Sequence, residues 1–141
     1  MREFSYTNKT TLDKETLTNL ISDAMETGYY GIGFWGVENG TKNPEDWQKA
    51  RAKAIAEFGE DDCCYCNIFY QALEDGATII IEDVEGEDGP WELTWEKLEH
   101  GCAIFEKEIG SIQKRMEDGG FDATDAQLIF QYALFGEEVY A

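Results

Sequence analysis

The sequence predicts an α+β fold, with about five helices packed on one face of a small three- to four-stranded antiparallel sheet. Three observations carry this expectation. Apolar residues recur at spacings of three and four in several separate segments, the pattern of a helix with one buried face. One β-branched run, Ala77-Thr78-Ile79-Ile80-Ile81-Glu82-Asp83-Val84, has the composition of a strand, and Gly- and Pro-containing turn residues separate it from the alternating Trp91-Glu92-Leu93. The 141 residues are 43% hydrophobic and 13% aromatic, enough for one core in a single domain spanning 1–141.

In chain order, residues 1–10 alternate loosely and suggest a short strand through Phe4 and Tyr6. From Thr11 or Asp13 a helix is expected, with Leu17, Leu20, Ile21, Ala24 and Met25 on one face and Gly28 at its end. The aromatic, glycine-rich run Tyr29 to Val37 follows. Its Gly31-x-Gly33-x-x-Gly36 shares the letters of a dinucleotide fingerprint but lacks the preceding apolar strand and the following helix. After an Asn39-Gly40 turn, Asn43 is placed to cap a helix with Pro44 in its first turn; Trp47, Ala50, Ala54, Ile55 and Phe58 lead to Gly59.

Ile68, Phe69, Ala72 and Leu73 predict a short helix stopped at Gly76. The Ile79–Ile81 run suggests a strand buried on both faces, paired back to Trp91–Leu93 as a hairpin. Thr94 is a cap for a helix whose buried face would be Leu98, Cys102, Phe105 and Ile109, and one or two helical turns carrying Ile112 and Met116 come before Gly119. The final helix is expected to be central to the core. Asp122 and Asp125 form its capping box, Phe121 staples it, and Gly136 ends it. Ala126, Ile129, Phe130, Ala133 and Leu134 make its apolar face, and Gln127, Gln131 and Glu137 fall elsewhere.

Thirty Asp and Glu against eleven Lys and Arg leave a formal charge of −19. Such a surface repels nucleic acid and anionic lipid and draws basic partners. No window reaches the roughly 18 apolar residues of a spanning helix, and no signal peptide is read at the N-terminus, so a cytoplasmic protein without membrane contact is expected. The carboxylates expected in loops and turns, Glu60, Asp61, Asp62, Glu82, Asp83, Glu85, Glu87 and Asp88, are the candidate partner-binding surface. Tyr29, Tyr30, Phe34 and Trp35 are the alternative: aromatic faces for stacking a base, among glycines that permit close approach.

No cofactor or metal is expected. Cys63, Cys66, His100 and Cys102 have zinc-binding atoms, but His-x-Cys is too tight for the usual paired spacing, and the cysteines read as reduced, buried small residues. The acidic run 82–89 fails the calcium-loop template because Asp88 stands where glycine is required. No Walker loop, G-x-S-x-G or H-E-x-x-H is present, which argues against an enzyme.

The block Phe121-Asp122-Ala123-Thr124-Asp125-Ala126 through Gln131-Tyr132-Ala133-Leu134-Phe135-Gly136-Glu137-Glu138-Val139-Tyr140 resembles the ending of a family of small acidic proteins encoded by bacteriophages and related mobile elements. Leu17 to Trp35 and Thr78 to Gly101 resemble the same family, leaving out the insert around 38–66. The resemblance implies a phage or prophage origin and an accessory role in an infected cell, and it carries over no catalytic residue. The expected function is stoichiometric binding of the anti-CRISPR or anti-restriction kind: an acidic, nucleic-acid-mimicking surface blocks a host protein with a basic nucleic-acid-binding surface. The alternative is a sponge that sequesters a cyclic-nucleotide immune signal in the aromatic pocket, which a homodimer interface could complete.

Overall fold

The computed structural model describes residues 2–6, 10–27, 40–82 and 89–139. In chain order its elements are β1 (Phe4–Tyr6), β2 (Thr10–Leu12), α1 (Lys14–Thr27), α2 (Pro44–Phe58), α3 (Tyr65–Glu74), β3 (Ile79–Ile81), β4 (Trp91–Leu93), α4 (Trp95–Glu108), α5 (Ile112–Glu117) and α6 (Ala123–Phe135). The fold is α+β, with six helices and two antiparallel two-stranded sheets among the described residues. No described helix is long and apolar enough to cross a membrane.

Local chemistry sets most helix starts. Asn43 accepts from the Glu45 N–H ahead of Pro44, Thr94 from Lys97, Ser111 from Lys114, and Asp122 from Asp125, each occupying a donor that the first turn leaves without a helical partner. Asp122 and Asp125 bond reciprocally, and Gly136 closes α6 in the left-handed conformation (φ 76°) with its N–H on the Tyr132 carbonyl.

The first helix starts at Lys14, because Thr10–Leu12 is a strand paired with β1 in the register Phe4↔Leu12. The helical pattern had absorbed that strand. β3 and β4 form the expected hairpin, Ile79↔Leu93 and Ile81↔Trp91. Ile79 and Ile81 are buried while Ile80 is only half-buried, so β3 presents one face to the core rather than two. Its other edge carries Gly40–Lys42, through Ile80 N–H to Gly40 O and Lys42 N–H to Thr78 O, both 2.8 Å.

α6 packs against α4 and α1, and α3 against α1 and α2; β1 lies on α4 and β4 on α6. A single buried cluster joins these elements, with Phe69 and Phe130 meeting at 6.2 Å and Phe4 meeting Trp95 edge-on at 5.1 Å. Two expectations about side-chain direction are corrected here. Gln127 and Gln131 are buried at 1% and 2% exposure, so α6 is enclosed nearly all round. Ile109 is 46% exposed: it is the C-cap of α4, its N–H still bonded to the Phe105 carbonyl, and it lies at the helix end, past the buried Leu98, Cys102 and Phe105.

Candidate functional site

The carboxylates fall into two groups. One group is engaged by other groups of the chain, in part at its surface. Glu99 accepts from the Ser5 N–H at 2.6 Å, and Glu106 Oε2 accepts from both Tyr6 Oη and the Ile112 N–H at 2.9 Å. Glu96 pairs with Arg2, Glu57 with Lys14, Glu92 with Lys42, Asp75 with Lys53, and Asp125 with Arg115. Asp13 accepts from the Thr16 N–H at 2.8 Å, and that bond holds its carboxyl below the usual range.

The other group faces solvent. Glu60, Asp61 and Asp62 are consecutive and exposed in the loop between α2 and α3, and Glu82 is exposed just beyond β3. Among the described residues, no side chain pairs with any of these four carboxylates. Asp83, Glu85, Glu87 and Asp88 lie outside the described residues, as do Tyr29, Tyr30, Phe34 and Trp35 of the aromatic alternative.

The ion pairs also reduce the supply of free cations. Of the eleven Lys and Arg, five stand in those pairs, and Lys97 Nζ bonds the Glu92 carbonyl at 2.8 Å. Among the described residues a cleft holding two lysines, Lys49 and Lys53, also carries Asp46 and Asp75 on its walls, so opposed charges share it. A three-residue block of unpaired anions beside paired cations can attract a positive surface over about a Debye length, roughly 8–10 Å at ordinary salt.

The cysteines do not gather. Cys102 is fully buried in α4, and burial, with Glu106 and Glu99 nearby, pushes its thiol well up. His100 is exposed on the same helix, and no group of three or more His, Cys, Asp or Glu among the described residues is placed to hold a metal ion. Cys63, Cys64 and Cys66 stand at the start of α3, and the expectation of buried cysteines fails for Cys64, which is exposed. Its position explains why. Cys64 is the N-cap of α3, with Asn67 at the reciprocal capping-box position, and an N-cap side chain is held at the helix end rather than in the core. The spacing Cys64-x-x-Asn67 was the available signal, hidden because cysteine is an uncommon cap.

Comparison of the chain with protein-family models, curated proteins and solved structures gave no match.

Proposed function

We propose that this chain is a non-enzymatic accessory protein of bacteriophage type that acts by stoichiometric binding. Its anionic exterior would occupy the basic nucleic-acid-binding groove of a host defence protein. The observation that carries the reading is the excess of carboxylate over cation: a formal charge of −19, with Glu60, Asp61 and Asp62 consecutive and exposed in one loop and in no ion pair among the described residues. Such a block offers to Lys and Arg the same acceptor oxygens as a phosphate backbone, and attraction of this kind weakens as salt rises.

The test is binding of the tagged protein to host nucleic-acid-binding proteins at low and high salt, followed by the triple variant Glu60→Gln, Asp61→Asn, Asp62→Asn. Affinity should fall about tenfold or more, a change of about 1.4 kcal/mol, and the salt dependence should become shallower. Undiminished binding by the triple variant would remove these carboxylates from the interface.

A second reading rests on the density of aromatic residues and glycines between Tyr29 and Val37. In it, the chain sequesters a cyclic nucleotide stacked on Tyr29, Tyr30, Phe34 or Trp35. A ligand that binds only the folded chain raises its thermal midpoint. No shift against a panel of cyclic nucleotides would end this reading.

A further inference from the structure

Three helices meet around the ammonium of Lys14. Lys14 opens α1, and its Nζ donates to both oxygens of Glu57, at 2.5 and 2.7 Å, one residue before the end of α2. The same nitrogen stands 5.3 Å from the centre of the Phe58 ring and 5.3 Å from that of Tyr70 in α3. A carboxylate flanked by two aromatic faces is a set of groups that recognises an organic cation, and both rings lie inside the roughly 6 Å over which that attraction acts. Tyr70 is held in place: it is buried, its ring meets Trp95 at 5.8 Å, and its hydroxyl donates to Glu74 at 2.7 Å.

Two clefts reach this cage. Lys14 lines one of about 440 Å³ together with Glu57 and Phe58, and a second of about 360 Å³ together with Tyr70. The Lys14 side chain is 22% exposed and that of Glu57 46%. An ion pair this accessible contributes little net free energy, and the lysine stem is flexible, so the internal ammonium is exchangeable.

We infer that Glu57, Phe58 and Tyr70 form a recognition site for the ammonium of a lysine on a partner protein, which displaces Lys14 on binding. The inference rests on the proposed attraction of a basic partner and gives that partner a chemistry: one lysine that enters the cage, beside further cations. Gly59 alone separates Phe58 from Glu60, Asp61 and Asp62, so the acidic loop begins two residues from the cage. Exchange of one ammonium for another leaves the cage contacts nearly unchanged. The gain comes from the partner's remaining cations meeting the loop. Until then Lys14 is a built-in competitor, because the apparent affinity is the intrinsic one reduced by the fraction of molecules whose cage is vacant.

The test uses the full chain and penta-lysine as the probe, with affinity read by calorimetry in one low-salt buffer. Lys14→Ala vacates the cage and should bind the probe about fivefold tighter or more. Lys53→Ala, which removes the same charge from the Lys53–Asp75 pair, is the control and should change affinity about twofold or less. Glu57→Gln should weaken binding about fivefold or more. Glu92→Gln, an equal change of charge at the Lys42 pair, should weaken it about twofold or less. In the wild-type chain the ε-methylene protons of Lys14, shifted by the two rings, should move to the free-lysine position as the probe saturates. That measurement needs no variant to fold.

Lys14 protons that stay ring-shifted at saturating probe, or a Lys14→Ala chain that binds no tighter than Lys53→Ala, would overturn the assignment. The triple variant Glu60→Gln, Asp61→Asn, Asp62→Asn separates this inference from the reading it rests on. If the triple variant loses affinity while Glu57→Gln behaves as Glu92→Gln does, the cage fails and the acidic loop stands. If Glu57→Gln loses affinity while the triple variant binds like the wild type, the loop fails and the cage stands.

Discussion

At Gly101 a single hydrogen decides how closely two helices approach. A Cβ built there would lie 2.6 Å from the Ile129 carbonyl oxygen and 2.8 Å from Ala133 Cβ, so α4 and α6 touch through backbone. Gly101→Ala should cost about 1–3 kcal/mol, read as a lower urea midpoint with unchanged slope. Gly120→Ala is the control. The nearest atom to a Cβ there, Arg115 O, is 3.8 Å away, so its effect should stay within about 0.5 kcal/mol. Equal midpoints for the two variants would mean that α4 and α6 stand further apart. Asp125 makes a second residue-scale case. It closes the capping box of α6 and also takes Arg115 Nη2 at 2.9 Å and Nε at 3.2 Å, while the Arg115 guanidinium covers the Phe105 ring. Asp125→Ala removes both roles and should destabilise by about 2 kcal/mol, whereas Asp125→Asn, which keeps an acceptor, should lose less. A chemical denaturation series would fail this account if Asn cost as much as Ala. The cap itself was legible in the sequence, because a capping box is written within four residues. The Arg115 contact was not, because nothing at Asp125 says which distant cation will reach it.

Between elements, Glu106 is a junction. One carboxylate oxygen joins α4 to β1 through Tyr6 Oη and to the start of α5 through the Ile112 N–H. Glu106→Ala leaves both donors without that acceptor and should cost about 2–3 kcal/mol, Glu106→Gln less, and Tyr6→Phe about 1 kcal/mol. Since Tyr6 and Glu106 share a bond, the double variant should cost less than the sum of Tyr6→Phe and Glu106→Ala; strict additivity would mean the bond contributes nothing. The same distinction shows how far elements could be read from sequence. Asn43, Thr94, Asp122 and Gly136 were found because caps are local. β2 was missed because three residues, Thr10–Leu12, carry no period of their own and take their form from pairing with Phe4–Tyr6. Gln127 and Gln131 were assigned away from the apolar face by polarity alone. Their burial follows from tertiary partners: Gln127 Nε2 donates to the Ala24 carbonyl of α1, and Gln131 Oε1 accepts from the Val139 N–H at 2.8 Å. Of the candidate site, the loop Glu60–Asp62 was legible because acidic residues between two stopped helices are exposed. The exposure of Cys64 was not, because it follows from Cys64 being the N-cap of α3, and cysteine is an uncommon cap.

For the molecule as a whole, charge was readable as a total but not as a distribution, since Glu99 and Glu106 serve the interior while Glu60 to Asp62 serve the surface. The same charge sets the response to pH and salt. Tyr6, Tyr65 and Tyr70 all have phenols raised above the ordinary value, in each case first by burial; Cys66 and Cys102 are raised for the same leading reason. For such groups the folded chain keeps a proton that the unfolded chain gives up. Their stabilisation is therefore intact below the ordinary thiol and phenol values, about 8.5 and 10, and is lost as pH climbs past them toward the raised folded values. Each ionisation also adds to a charge already at −19, so repulsion acts in the same direction. The urea midpoint should hold below about pH 8 and fall steeply above about pH 9.5, and Tyr65→Phe, lacking one of these protons, should give a shallower fall. Neutral salt at pH 7 should raise the midpoint by screening the carboxylates, an effect that the triple variant Glu60→Gln, Asp61→Asn, Asp62→Asn reduces. If alkaline pH left the midpoint unmoved, the phenols of Tyr6, Tyr65 and Tyr70 would have to be open to water, and the aromatic core that seats them would be packed differently.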